Sequence, residues 1–177
     1  MRTAAISGRR RLKVATFSDL IVTRWGARFM GCWMPCAVGR GGIGQKRGEG
    51  DGITPEGVFD ILGVYSRPDR GLVDGTSIQI DHVWSDDPDD PAYNTLQKGW
   101  PYAYSAERMR RADPLYDLVA DLSYNRAPIL SGKGSAIFLH IWRKPRHPTQ
   151  GCVAFARKDL VFVLENWTAR SRVIIRA

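Results

Sequence analysis

Apolar positions fall mostly in short runs of three to eight residues, often alternating with polar ones, and such runs separated by glycine and proline read as strands. Residues 12–38 hold two or three of them, with Leu20-Ile21-Val22 and Trp33 to Val38 the clearest. Val58 to Tyr65 and Ser77 to Trp84 alternate in part, Leu115 to Tyr124 and Ser135 to Trp142 are strongly apolar, and Ser171 to Arg176 carries Val173-Ile174-Ile175. Helical spacing is clear only over Arg157 to Trp167, where Leu160, Val161, Val163, Leu164 and Trp167 form one stripe. A short helical stretch is also expected around Ser105 to Arg111. The reading is a mainly β chain of about eight strands.

Punctuation sets the order of these elements. Four glycines in Gly39-Arg40-Gly41-Gly42-Ile43-Gly44 demand irregular backbone. Thr54-Pro55-Glu56-Gly57 reads as a turn. Residues 85–114, with acids, prolines and many aromatics, read as a long functional loop.

At 177 residues the chain has room for one buried core, so it is read as a single domain over 1–177 with an N-terminal arm at about 1–11. Three cysteines do not make a closed disulfide set, and no apolar run is long enough to span a membrane. Lys and Arg total 26 against 18 acids, a net +8 that favours an anionic partner. The basic residues do not interleave with aromatics in a nucleic-acid recognition pattern, so no nucleic acid is expected. Ser7-Gly8-Arg9-Arg10-Arg11-Leu12-Lys13 has a faint look of a twin-arginine export signal, but the apolar stretch such a signal needs does not follow. A solvated basic arm is the expectation there, with no export segment visible.

The chemistry concentrates between residues 135 and 155. On a strand, Ala136, Phe138, His140 and Trp142 share one face, and Ile137, Leu139 and Ile141 the other. A histidine so placed is ordinarily a core residue. Cys152 changes the balance, because the loop Arg143 to Gln150, with Pro145 and Pro148, can return the chain and bring a thiol to the imidazole. Arg143, Lys144 and Arg146 would lower the thiol pKa. Amides at Gly151 and Cys152 would serve as oxyanion donors. His147 is a rival base, five residues before Cys152.

Here the sequence resembles the YkuD-type L,D-transpeptidases of bacterial peptidoglycan. Their histidine, loop, then Ser/Thr-x-Gly-Cys matches His140 followed by Thr149-Gln150-Gly151-Cys152. Their Thr-Pro-x-Gly-x-Phe segment matches Thr54-Pro55-Glu56-Gly57-Val58-Phe59, and the matches span roughly Gly39 to Phe155. Gln150 stands where histidine is usual, Ala154 where arginine is common, and the twelve positions from His140 to Cys152 are fewer than in better-known members. The resemblance is therefore to a divergent subfamily.

It implies one β-sandwich or barrel-like catalytic domain with one or two short helices, acting without cofactor or metal in cell-wall biogenesis and cell shape. Cys152 would be the nucleophile and His140 the base, acting on peptidoglycan stem peptides to form 3,3 or 1,3 cross-links. Arg143 and Lys144 would clamp substrate carboxylates, Thr149 would contact substrate, and Trp84, Tyr93, Trp100, Tyr102 and Tyr104 would wall the cleft. It also implies a cell-envelope or periplasmic location, with no stable membrane insertion. An L,D-carboxypeptidase or endopeptidase on the same fold, and a non-catalytic basic wall-binding domain, remain open.

Other features read as structural. His82 lies in a strand beside Trp84, and Cys32 and Cys36 read as buried strand cysteines too far apart to pair. The glycine-rich loop lacks the Gly-Lys-Ser/Thr ending of a phosphate loop. The Asp86 to Asp90 cluster lacks the ligand spacing of a calcium loop and reads as solvated.

Overall fold

In the computed structural model, which describes residues 14–70 and 73–177, each apolar run becomes one or more strands of two to six residues. The N-terminal arm, with its arginine run, lies outside the described residues. The chain opens with β1 (Leu20–Thr23), β2 (Gly26–Phe29), β3 (Cys32–Met34) and β4 (Cys36–Ala37). Across the glycine-rich loop follow β5 (Ile43–Gly44), β6 (Thr54–Pro55), β7 (Gly57–Phe59) and β8 (Ile61–Ser66). Next come β9 (Thr76–Ser77), β10 (His82–Ser85), β11 (Leu96–Lys98) and β12 (Ala106–Arg108). The chain closes with β13 (Leu118–Leu122), β14 (Phe138–Ile141), β15 (Val153–Phe155), the helix α1 (Arg157–Glu165) and β16 (Val173–Ile175).

Two large sheets form, of five strands in the order β3-β2-β1-β16-β7 and six in the order β4-β15-β14-β13-β8-β9. A three-stranded sheet β11-β10-β12 and the pair β5-β6 complete the architecture. The result is the expected mainly β class, an open layered sandwich whose sheets do not close into a barrel.

The six-stranded sheet is the middle layer. Every residue of β13 and β14 is buried, as expected of strands covered on both faces. One face sends Leu118, Ala120, Leu139 and Val153 against Leu20, Val22 and Phe29 of the five-stranded sheet, with Leu160 and Val163 of α1 closing the end. The opposite face packs Val119, Phe138 and Cys152 against Trp84, Met109 and Tyr116. Trp84 meets Phe138 edge-on at 4.8 Å, a geometry that adds about 1 kcal/mol to area burial.

Several local expectations are corrected. Asp60 separates β7 from β8 within the run at 58–65, and residues 78–81 separate β9 from β10. The stretch around Ser105 is the strand β12, paired with β10, rather than a helix; Met109 is fully buried behind it, so tertiary burial overrides local propensity. The helix stops at Glu165, and Trp167 leaves it to stack on Phe29 at 6.0 Å. Cys36 is buried, but Cys32 is exposed at the sheet edge, and both are free. Asp90 is buried rather than solvated, accepting from the Ser85 hydroxyl at 2.5 Å and the Tyr102 hydroxyl at 2.7 Å.

Candidate active site

The site is built where β14 and β15 run side by side. They pair in parallel, Leu139 with Val153 and His140 with Ala154. Cys152, two residues before Ala154, therefore shares a face with His140, about 8 Å away between Cα atoms by parallel-sheet spacing. The intervening loop, residues 142–150, makes the return that the prolines suggested.

The backbone at Cys152 is fixed by threonines. Thr149 accepts from the Gly151 amide at 3.1 Å and donates its hydroxyl to the Cys152 carbonyl at 2.6 Å. Thr54 donates to the same carbonyl at 3.4 Å and accepts from the Gly39 amide at 2.7 Å. Gly39 itself pairs with Thr149 in an isolated bridge, and a Cβ there would lie 2.0 Å from the Gly52 carbonyl oxygen. The glycine-rich loop is thus a packing element under the Thr-x-Gly-Cys turn. At Gly151, φ is +145° and a Cβ would come within 3.1 Å of the Ile53 carbonyl. Only glycine reaches that conformation without strain.

Cys152 Sγ donates to the Ala136 carbonyl at 3.0 Å and accepts from the Phe138 amide at 3.4 Å. Ala136 adopts φ +51°, unusual for a non-glycine residue. Burial pushes the thiol pKa up to about 12, and the negative field of Glu107 adds to the rise. The expected lowering by the loop cations is not what governs it: desolvation dominates, and the cation acting on the sulfur is Lys46. His140 is buried too, and burial pushes it down to about 4. Its Nδ1 contacts the Ile141 carbonyl at 2.8 Å, which assigns the proton to Nδ1 and leaves Nε2 unprotonated. The orienting partner is therefore the carbonyl of the next residue.

Two clefts meet at Cys152. One, of about 300 Å³, is lined by His140, Tyr116, Arg111, Arg143, His147 and Thr149 and is rich in cations. The other, of about 180 Å³, is lined by Lys46, Glu49, Asp86, Gln150 and Gly151 and is mostly acidic. Glu107 lines both. A larger depression of about 710 Å³, beside Arg67 and Glu165, holds neither His140 nor Cys152.

Glu107, Tyr116 and Arg111 are site residues that the sequence reading missed. Tyr116 donates its hydroxyl to Glu107, packs edge-on against the His140 ring at 5.4 Å, and carries the Arg111 guanidinium 5.3 Å above its own ring. Burial pushes the Glu107 pKa upward. No spacing pattern ties residue 107 to residue 140; they meet through Tyr116, which bonds to one and packs on the other.

The remaining expected site residues divide. Arg143 and His147 are exposed and line the larger cleft, whereas Lys144 is exposed and lines neither. Thr149 lines the larger cleft, but its hydroxyl is spent on the turn. The Gly151 amide is likewise occupied by Thr149, which removes it as an oxyanion donor. Trp84 is fully buried, its indole N–H donating to Asn94 at 3.1 Å, so it supports the site from below instead of walling it. Tyr93 is buried and braces Glu49 through its hydroxyl. Trp100, Tyr102 and Tyr104 line neither cleft. Among the described residues no group of three His, Cys, Asp or Glu is placed to hold a metal.

The YkuD family model, the L,D-transpeptidase catalytic domain, matches residues 27–175. The chain belongs to the L,D-transpeptidase family. No curated protein and no solved structure matches it. Members of the L,D-transpeptidase family act on peptidoglycan and are typically associated with the cell wall. No helix among the described residues is long and apolar enough to cross a membrane.

Proposed function

We propose that the whole chain is one catalytic domain that cross-links peptidoglycan stem peptides through a thioester on Cys152. The observation that carries this is the shared cleft: Cys152 and His140 lie on one face of adjacent parallel strands and open into the same cavity. Burial disfavours both charged forms, pushing the thiol up to about 12 and the imidazole down to about 4. The resting pair is therefore neutral, and proton transfer accompanies attack.

In the reaction, the Cys152 S–H leaves the Ala136 carbonyl and its proton passes to His140 Nε2. The sulfur attacks the carbonyl carbon joining an L-centre to a terminal D-residue. His140 returns the proton to the leaving amine, the D-residue departs, and a thioester remains. The acceptor amine then attacks the thioester, His140 takes its proton, and the thiol is regenerated as the new amide forms. The cationic cleft of Arg111 and Arg143 suits the donor carboxylates. With Gly151 engaged, the Cys152 amide is the backbone donor proposed for the oxyanion. Either 3,3 or 1,3 linkage fits these roles, and the proposed place of action is the cell envelope.

Water in place of the acceptor amine gives an L,D-carboxypeptidase or endopeptidase with the same residues. The high thiol pKa favours a second reading, a non-catalytic basic wall-binding domain, in which Cys152 is inert. Mass spectrometry of disaccharide-tetrapeptide and -pentapeptide incubated with wild type and Cys152→Ala separates the three. Dimers formed only by wild type establish the transpeptidase, and fragmentation locates the linkage. Loss of terminal residues without dimers identifies the hydrolase. Unchanged substrates with both proteins overturn the enzymatic reading.

A further inference from the structure

The smaller cleft at Cys152 holds a buried cation that the reaction steps above leave idle. Lys46 sits in the loop 45–53, whose two ends are joined by the parallel pairing of β5 with β6. Its side chain is only 3 % exposed. The stem lies across Gly134, where a Cβ would stand 2.4 Å from the lysine Cε. The ammonium reaches Gly151, whose Cβ position is 3.6 Å from Nζ. Both glycines have positive φ, +106° and +145°. Two backbone positions without side chains thus make a slot that delivers the charge to the turn bearing Cys152.

The charge is fixed there. Lys46 Nζ donates to Asp51 Oδ1 at 2.6 Å and to the Ile53 carbonyl at 3.3 Å. Asp51 in turn accepts from the Arg47 amide at 2.7 Å and the Ile53 amide at 2.9 Å. Burial opposes its charge, yet the Lys46 ammonium and these amides hold its carboxyl down at about 2. The amides share that negative charge and Asp51 does not line the cleft, so it offsets the lysine only in part. Among the described residues, two of the three ammonium protons have partners, and the third is left for the cleft. The other charged groups lining that cleft are Glu49, Asp86 and Glu107, all acids. Arg111, Tyr116, His140, Arg143 and His147 face Cys152 from the larger cleft. On the smaller side, negative charge developing at Cys152 meets three carboxylates and this one cation.

We propose that Lys46 is the charge-stabilising residue of acyl transfer, its ammonium facing the negative charge that develops first on sulfur and then on the carbonyl oxygen. The assignment rests on the thioester chemistry proposed above. As the thiol proton passes to His140, the sulfur electron pair forms the S–C bond and the carbonyl π pair moves onto oxygen. Lys46 keeps its three protons throughout and supplies charge alone. When the oxyanion collapses, the C–N bond breaks and the leaving amine takes the proton from His140. A cation already fixed in place costs no reorganisation at that moment. It also makes up for the Gly151 amide, which Thr149 occupies.

The test uses the full-length chain with Cys32→Ser, and alkylation by iodoacetamide is read on the Cys152 peptide by mass spectrometry. Lys46→Met keeps the stem without the charge and should slow alkylation about ten-fold at pH 8. Asp51→Asn keeps the lysine and removes its counter-ion, so alkylation should quicken several-fold. A merely packing role for the Lys46–Asp51 pair predicts faster alkylation in both, because either change loosens the turn. That result, or two unchanged rates, overturns the proposal. Should Lys46→Met lower the melting temperature, the double variant with Asp51→Asn leaves no lone buried carboxylate. It should alkylate about ten-fold more slowly than Asp51→Asn alone, and equal rates overturn the proposal as well. With a disaccharide-tetrapeptide, Lys46→Met should lose about a hundred-fold in kcat with little change in KM. Parental kcat in a folded variant overturns the role in acyl transfer. Opposite alkylation shifts in a protein that consumes no muropeptide sustain the charge assignment at Cys152 while the proposed reaction fails.

Discussion

Thr54 lies 98 positions before Cys152 in the chain, yet its buried hydroxyl donates to the Cys152 carbonyl at 3.4 Å while accepting from the Gly39 amide at 2.7 Å. That one side chain explains why the Thr-Pro-x-Gly-x-Phe and Thr-x-Gly-Cys segments occur together: the first holds the backbone of the second. Thr54→Val keeps the shape and removes both bonds, leaving a buried amide and a weakened carbonyl clamp. The expected cost is about 1–3 kcal/mol of stability, read by urea unfolding, with Cys152 more exposed to alkylation. Thr54→Ser should recover most of the loss; failure to do so would show that methyl packing, not the hydroxyl, matters at this position.

Thiol reactivity should report the burial of Cys152. With its pKa near 12, Cys152 carries little thiolate at pH 7, and its alkylation rate should climb about ten-fold per pH unit from 7 to 10 without a plateau. Glu107→Gln removes a negative neighbour and should speed alkylation several-fold at each pH. Cys32→Ser is the background for the measurement, since that thiol is exposed. A plateau near neutral pH would show a pre-formed thiolate and contradict the neutral resting pair.

The strand faces around His140 were legible because period-two alternation was strict there: Ile137, Leu139 and Ile141 fill one core, and Ala136, Phe138 and Cys152 the other. The approach of Cys152 to His140 was legible for a different reason, the proline-bearing loop that returns the chain; the parallel pairing of β14 with β15 was not, since short connections ordinarily join antiparallel strands. What did not show was three-dimensional support. Trp84 and Tyr93 looked like cleft walls because aromatics near a loop carry no mark of which side is wet. Lys144 looked equivalent to Arg143, although one residue along an exposed loop turns a side chain away from a cavity. Glu107 and Tyr116 were invisible because their partnership with His140 is a contact between layers, and no local pattern encodes it.

Two buried groups should give opposite acid responses. His140 is depressed to about 4, so the stability it contributes is present above its unfolded value near 6.5 and is lost as pH falls towards 4. Burial raises Asp121 to about 6, so its contribution is full below about 3.8 and is lost as pH rises through 6. Between pH 6 and 4 the two slopes oppose each other in the wild type. Asp121→Asn should therefore lose melting temperature more steeply than wild type over that window, and His140→Gln should hold or gain it. Parallel curves for all three proteins would show that neither group changes its proton affinity on folding.

Trp84 provides the sharpest contrast between a supporting and a contacting role. Its ring is fully buried against Phe138 and Tyr65, and its N–H meets Asn94 Oδ1, which also accepts from the Ala136 amide at 3.1 Å. Ala136 in turn receives the Cys152 thiol. Trp84→Ala should cost about 3–5 kcal/mol by cavity formation, seen as a large drop in denaturation midpoint. Trp84→Phe keeps most of the ring volume and loses the Asn94 bond, at a cost of about 1 kcal/mol. Because Trp84 touches neither cleft, KM for a soluble muropeptide should stay unchanged in Trp84→Phe, while kcat falls only as far as Ala136 and the thiol it holds are displaced. A raised KM with normal stability would instead return Trp84 to the cleft wall, which its burial beneath Phe138 argues against.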